Sequence, residues 1–214
     1  MPDRVCLSGR LARLEPIELE HVDDLLAAAT EDRATYGFTP VPDTTAAMRA
    51  YVSGALDDEQ TGWALPFVIR LRTDGRIVGS TRFLDLEDWD APGGRPPGRP
   101  STPSRRGTPS VGEIGSTWLG ASAQRTPVNT ECKLLLLAHA FDGWQMQRVT
   151  FKTDARNRRS RQAIERIGGR FEGIRRAHVP ATDGTIRDSA YFSIIREEWP
   201  AVRDRLEARL NPHP

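Results

Sequence analysis

Residues 115–160 read GSTWLGASAQRTPVNTECKLLLLAHAFDGWQMQRVTFKTDARNRRS, and the fold follows from how that stretch divides. STWLG closes a strand pattern, ASAQRT is a polar loop, and CKLLLLAHAF is the apolar body of a helix. The helix opens at Thr126-Pro127, because threonine is a favoured N-cap and proline suits the first helical position. Val128, Cys132, Leu135, Leu136 and His139 recur at i, i+4, i+7, i+8 and i+11 as one stripe. Residues 148–153 (RVTFKT) alternate and are rich in β-branched and aromatic side chains, so they form a strand. Two strands joined by a helix of this length make, most simply, a parallel βαβ unit with a right-handed crossover. Such a unit places a helix N-terminus, with unpaired N–H groups and a positive dipole end, at the carboxyl edge of the first strand. That is a site for a ligand phosphate. Gln124-Arg125-Thr126 puts a guanidinium beside it.

A second helix opens at Asn157, with the stripe Ser160, Ala163, Ile164, Ile167 closed by Gly168. A hydroxyl therefore heads the face that points at the sheet. These residues carry a resemblance. Glu113-Ile114-Gly115, the loop from Gln124 to Glu131, Arg148-Val149 with Lys152-Thr153-Asp154, Asn157 with Ser160, and Gly168 resemble the acyl-CoA site of the GNAT superfamily. The branch they are similar to is the RimJ/RimL-like one, the ribosomal-protein N-terminal acetyltransferases. Glu172-Gly173, Arg187-Asp188 and Glu198-Trp199-Pro200 fit it too, so the resemblance spans nearly the whole chain. One departure concerns the phosphate loop. The superfamily usually has small residues where this chain has Pro127 and Asn129. Proline removes one donor but leaves the neighbouring N–H groups available, and Arg125 adds charge-assisted contacts, so a stiffer anion site is expected.

The remainder of the chain bounds the class. At 214 residues, with Lys+Arg 30 against Asp+Glu 29, net charge is +1, which points to neither a nucleic-acid nor an acidic-tail protein. Cys6 and Cys132 form no C-x-x-C pair and suit reduced thiols. Residues 1–15 contain no apolar signal core, and the longest apolar run is too short to span a bilayer, so a cytoplasmic protein with no membrane partner is expected. The four histidines have no ligand spacing, and no metal is expected.

Taken in order, residues 9–16 alternate as a first strand, and 18–30 and 44–56 carry helical spacing, the latter capped by Asp43 or Thr44. Tyr36 and Phe38 lie on the turn-rich loop between them, either packed on the core or forming a wall of an acceptor pocket. Residues 63–71 and 76–86 are strands around the turn Thr73-Asp74-Gly75. Residues 88–110 form a Pro/Gly/Arg-rich insertion, either a solvated spacer or a basic flap over an anionic acceptor. Strands at 111–119 and 148–154 flank a helix over 127–146. A helix at 157–167, strands at 170–180 and 185–195, and a helix at 200–210 complete the set. The expected fold is a single α/β domain on a mixed, mostly antiparallel sheet. At its centre lies the parallel strand–helix–strand unit, with the fourth and fifth strands splayed apart as in GNAT proteins.

The resemblance implies an acetyl-CoA-dependent N-acetyltransferase that joins an acyl group to a primary amine by direct attack. The amine could belong to a protein N-terminus, a lysine or a small molecule. A succinyl donor, a non-catalytic acyl-CoA sensor and a homodimeric assembly are the alternatives it leaves. Amide formation from a thioester requires a base for the amine, donors for the oxyanion and an acid for the thiolate. Backbone groups of Thr117, Trp118 and Leu119 are expected to meet the oxyanion where the strands part, helped by a bulge near Gly115 or Gly120. The implied cofactor contacts are Gln124, Arg125, Thr126, Val128, Asn129, Thr130 and Arg159, with Asn157 either holding pantetheine or capping its helix. Glu113 is the expected base, against the alternative of a surface residue paired with arginine. Ser160 is the expected acid, against a helix-start hydroxyl bonded to backbone. His178 and Asp188 are the fallback bases, grouped with Tyr36 and Phe38 on the acceptor side.

Overall fold

The computed structural model describes residues 2–89 and 108–211. Most of the 88–110 insertion therefore lies outside the described residues. The strands are β1 (Leu7–Ser8), β2 (Ala12–Pro16), β3 (Leu65–Leu71), β4 (Ile77–Glu87), β5 (Val111–Leu119), β6 (Arg148–Asp154), β7 (Arg170–Pro180) and β8 (Ile186–Ile195). The helices are α1 (Val22–Thr30), α2 (Thr45–Gln60), α3 (Val128–Ala138), α4 (Arg158–Arg166) and α5 (Trp199–Leu210).

Three boundaries differ from the sequence expectation, each for a physical reason. The first strand is a small hairpin instead, because the Glu131 carboxylate accepts from the N–H groups of Arg10, Leu11 and Ala12 at 2.8, 2.8 and 2.7 Å. A long-range contact of that kind leaves no trace in local alternation. The crossover helix is regular only to Ala138 and then widens into a π-helical turn, His139–Gly143. Helix α2 runs one turn further than expected, to Gln60, with the Thr44 hydroxyl accepting from Ala47 N at its start.

All eight strands lie in one sheet of order β1-β2-β3-β4-β5-β6-β8-β7. Only β5 and β6 pair in parallel; the other pairs are antiparallel. One apolar layer, between the sheet and α3 and α5, includes Phe83, Ile114, Leu119, Leu136, Leu137, Phe151 and Leu206. The second, under α1 and α2, includes Leu25, Met48, Val52, Val68 and Trp118. Leu136 and Leu137 are wholly buried, and each such side chain contributes about 1.5–3 kcal/mol.

Ile114 and Trp118 lie in opposite layers although they are four positions apart. In a regular strand they would share a face. The register between β4 and β5 slips between Ser80 and Arg82, and Ser116 has φ +47°. This bulge, close to Gly115 as expected, adds one residue and turns the rest of β5 over. It sends Thr117 toward α3 while Glu113 faces the α1/α2 side.

Candidate active site

The parallel pairing of β5 and β6 lasts for three residue pairs and stops at Glu113↔Thr150. Past that point β5 follows β4 through the bulge while β6 stays with β8, and the two strands part. The gap holds a cavity of about 330 Å³. Its walls include Phe38, Pro40, Glu113, Lys152 and Arg187, and also Asn129, Lys133, Phe151, Thr153 and Ser160. Lys152 and Phe151 are neighbours on β6 and point to opposite faces, and Phe151 belongs to the α3 layer. A cavity touching both residues passes through the sheet. Only a break between strands permits that.

On the α1/α2 side the central group is Glu113, 4% exposed. Its Oε2 lies 2.9 Å from Lys152 Nζ, and Lys152 also reaches Asp85 at 3.4 Å. Burial pushes the Glu113 carboxyl up to about 7, against the opposing pull of Lys152. Burial works to lower the Lys152 ammonium, but the charges of Glu113 and Asp85 outweigh it and the net shift is upward. Gly115 makes room for the carboxylate, since a Cβ there would stand 2.5 Å from Glu113 Oε1.

On the α3 side the central group is Lys133. It is 6% exposed, with its Nζ donating to Thr117 Oγ1 at 2.6 Å and Thr81 Oγ1 at 3.4 Å. Burial lowers its pKa to about 8. Asn129, one turn earlier on α3, lines the same wall. Helix α3 starts at Val128, one residue later than expected. Pro127 occupies the cap position with helical angles (φ −66°, ψ −10°). The Thr126 hydroxyl accepts from Val128 N at 3.3 Å and donates to Ala123 O at 2.7 Å. The N–H groups of the first turn have no intrahelical acceptor by helix geometry. Arg125 is exposed beside them, in the left-handed region at φ +60°.

The other expected residues divide by position. Ser160 lines the cavity, and its N–H donates to Asn157 Oδ1 at 3.0 Å, so Asn157 does cap α4. Gln124 is held inside the fold, with Nε2 donating to Leu119 O at 2.8 Å and Thr35 Oγ1 at 3.0 Å. Arg159 donates to Gln124 Oε1 at 3.3 Å and Thr35 O at 2.5 Å, joining α4 to the loop after α1. Of the three residues expected at the oxyanion, only Thr117 lines the cavity. Trp118 is buried in the α1/α2 layer, and Trp118 and Leu119 pair with Ser80 and Gly79 of β4. Val128 is buried in the α3 layer and Thr130 lies on the same first turn.

The acceptor-side residues separate in the same way. Phe38 does line the cavity, under the Arg156 guanidinium at 5.4 Å. Tyr36 is a core residue whose hydroxyl donates to Leu119 O at 2.9 Å. Asp188 is used by the backbone, accepting from Ala177 N at 2.8 Å where β7 kinks. His178 sits behind it, within 2.9 Å of Ser189 Oγ and 3.4 Å of Tyr191 OH. Neither His178 nor Asp188 lines the cavity. Arg187 does, with Nε donating to Ser189 Oγ at 2.9 Å. Sequence reasoning gave no site role to Lys133, nor to Arg187, which entered only through the resemblance. The available signal for Lys133 was a single charge inside the apolar run CKLLLL.

The family model for the acetyltransferase (GNAT) domain matches residues 12–170. No curated protein matches the chain in sequence. Among solved structures it is similar to a GCN5-related N-acetyltransferase from Brucella melitensis, at 31% identity over 99% of this chain and 87% of that one, with a TM-score of 0.79. Mycobacterium smegmatis RimJ in complex with CoA-disulfide is similar at 22% identity, with 97% and 95% of the two chains covered and a TM-score of 0.74. RimL, a ribosomal L7/L12 α-N-protein acetyltransferase, shares 18% identity over 90% and 94% of the chains at a TM-score of 0.72. At those two lower identities the likeness is one of fold.

Proposed function

This chain belongs to the acetyltransferase (GNAT) domain family and is an acyltransferase, and on that premise we propose that it transfers an acetyl group from acetyl-CoA to a primary amine. The observation that carries the proposal is the through-sheet cavity, with a buried carboxylate whose pKa lies near neutrality on one wall. Acetyl-CoA approaches from the α3/α4 side. Its diphosphate meets the first-turn N–H groups of α3 beside Arg125, Thr126 and Thr130, and its thioester arm enters the gap past Asn129 and Ser160. The amine approaches from the side of Phe38 and Pro40, where Glu113 waits.

Glu113 accepts the proton that the amine loses as its nitrogen bonds to the thioester carbon. A carboxylate with a pKa near 7 is a far better base at neutral pH than one at the usual ~4.3. The acceptor we favour is an α-amine, of a protein N-terminus or a small molecule. Its pKa of ~8 against ~10.4 for a lysine side chain leaves more of it neutral and ready to attack.

Mixing the protein with acetyl-CoA and a panel of amines, while following thiol release, tests the proposal. Amine-dependent thiol release that Glu113→Gln abolishes is expected. Failure to bind any CoA ester in calorimetry overturns it. Tight CoA binding without turnover on any amine would replace it with a sensor function.

A further inference from the structure

Lys133 is the buried group that the sequence did not single out and that the mechanism above leaves unused. It is 6% exposed, on the second turn of a helix whose other buried residues are apolar apart from Glu131. Among the described residues no carboxylate lies within 4.0 Å of its Nζ, which is held by the Thr117 and Thr81 hydroxyls, themselves 2.8 Å apart. Enclosing an ammonium without a counter-ion is costly. Nothing in the packing of α3 requires it, since the apolar stripe already seats the helix on the sheet. Glu131, two residues away, shows how this fold satisfies a purely structural charge, with three backbone N–H groups on one carboxylate.

The position of Lys133 is what gives it a role. Glu113 and Lys133 line one cavity from opposite faces of the sheet, and the charge of Glu113 reaches Lys133 across it. The bulge at Ser116 creates this arrangement by turning Thr117, the main acceptor for Lys133, toward α3. A thioester lying in the gap would present its carbonyl carbon to an amine on the Glu113 side and its sulfur to the α3 side. We propose that Lys133 is the general acid of this enzyme, giving its proton to the coenzyme A sulfur as the carbon–sulfur bond breaks. The proposal rests on the acyltransferase function above.

The step balances. The amine nitrogen forms a bond to the carbonyl carbon and gives one proton to Glu113. The carbonyl re-forms, the sulfur leaves with the bonding pair, and Lys133 supplies one proton to it. Glu113 then holds an extra proton and Lys133 lacks one, and transfer between them, directly or through solvent, restores both. Ser160 faces the same cavity, but a serine hydroxyl is a much weaker acid than a thiol. It can hydrogen-bond the sulfur without being able to leave it protonated. An ammonium whose pKa burial has brought to about 8 is acidic enough to protonate a departing alkyl thiolate. The other ionisable groups facing this region are Glu113, Lys152 and Arg187 on the cavity wall, and Cys132 on α3 itself. Burial holds the Cys132 thiol up at about 12, so it stays neutral.

The test titrates the thiol of coenzyme A bound to wild-type protein, Lys133→Met and Lys133→Arg, followed by thiolate ultraviolet absorbance. In wild type the bound thiol should ionise at least tenfold more readily than free coenzyme A. The effect should persist in Lys133→Arg and disappear in Lys133→Met. In turnover, Lys133→Met should lose about 100-fold in kcat with less than a threefold change in KM for acetyl-CoA. That loss should shrink to under fivefold with an acetyl thioester of a more acidic thiol, which departs without an acid. Methionine is close to lysine in volume and removes a buried charge, so an undiminished melting temperature is expected. Equal thiol titrations in wild type and Lys133→Met, both binding coenzyme A, overturn the role of Lys133 and leave the acyltransferase function standing. Absence of coenzyme A binding in wild type would overturn both.

Discussion

Glu113 and Lys133 are buried to the same degree on the two sides of one gap, yet the fold treats them differently. Glu113 has an ammonium 2.9 Å away and still has its pKa pushed up to about 7. Among the described residues Lys133 Nζ has two hydroxyls as its hydrogen-bond partners, and its pKa falls to about 8. Each shift is dominated by desolvation, which disfavours the charged form of either group. Lys152 stops the Glu113 carboxyl from rising further, whereas among the described residues no carboxylate lies within 4.0 Å of Lys133 Nζ. Two groups of opposite type are thereby brought toward the same pH from opposite directions. That convergence, more than any single contact, distinguishes this gap from the rest of the sheet.

The comparison is broken most severely at Glu113. Glu113→Gln should lower kcat by about 10²–10⁴-fold, with KM for acetyl-CoA within twofold of wild type, since the side chain faces the acceptor. Steady-state kinetics with each substrate varied will separate the two effects. The next largest effect belongs to the counter-charge. In Lys152→Met the Glu113 carboxyl loses its main stabilising partner, so its pKa should rise further. Wild-type kcat/KM should climb as pH passes through about 7, where Glu113 deprotonates. The variant's rise should come about one pH unit later, an activity loss relative to wild type of about fivefold at pH 7 that is recovered by pH 9. A pH profile with unchanged midpoints would show that Lys152 does not set the ionisation of the base.

Smaller effects sharpen the picture. Gly115→Ala should displace the Glu113 carboxylate and cost about threefold to tenfold in kcat, with the fold intact by circular dichroism. The last effect is one of stability. The folded-state pKa of Glu113, about 7, lies above the unfolded value of 4.5. Between those values the folded protein holds a proton that the unfolded chain has released. Stability therefore falls as pH rises through that window, and the loss is complete above about 7. Glutamine does not titrate. The melting temperature of Glu113→Gln relative to wild type should accordingly increase from pH 5 to pH 8, by an amount corresponding to at most about 3 kcal/mol. Asp85 remains near Lys152 to limit the penalty of the substitution.

What could be seen in the sequence was what depends on near neighbours. Periodicity placed the start of α3, all of β6 and the late hairpin within a residue, because the stripe of α3 and the alternation of β6 are local. The parallel pairing followed from the length of the crossover, and of the two places anticipated for a bulge, near Gly115 or Gly120, the first is the one used. The cavity walls were harder to see, because a wall residue is defined by its partners across the fold. Tyr36 was open between core and pocket wall, and its hydroxyl on the Leu119 carbonyl, a contact distant in sequence, is what puts it in the core. Asp188 stood beside the wall residue, Arg187, but alternation turned it to the backbone of β7. Lys133 was hidden by the stripe analysis itself, which follows apolar positions and ignores a charge lying between them. Its orientation toward Thr117 depends on a bulge that reverses half of a strand, and no helical pattern encodes that.

The most direct test of the account is a crystal structure of the protein with a non-hydrolysable acetyl-CoA analogue. The account requires the acyl carbonyl to lie in the gap where β5 leaves β6, open to Glu113 on one side, with the sulfur position within hydrogen-bonding reach of Lys133 Nζ on the other. An analogue bound elsewhere, with the gap closed by side chains, would contradict it.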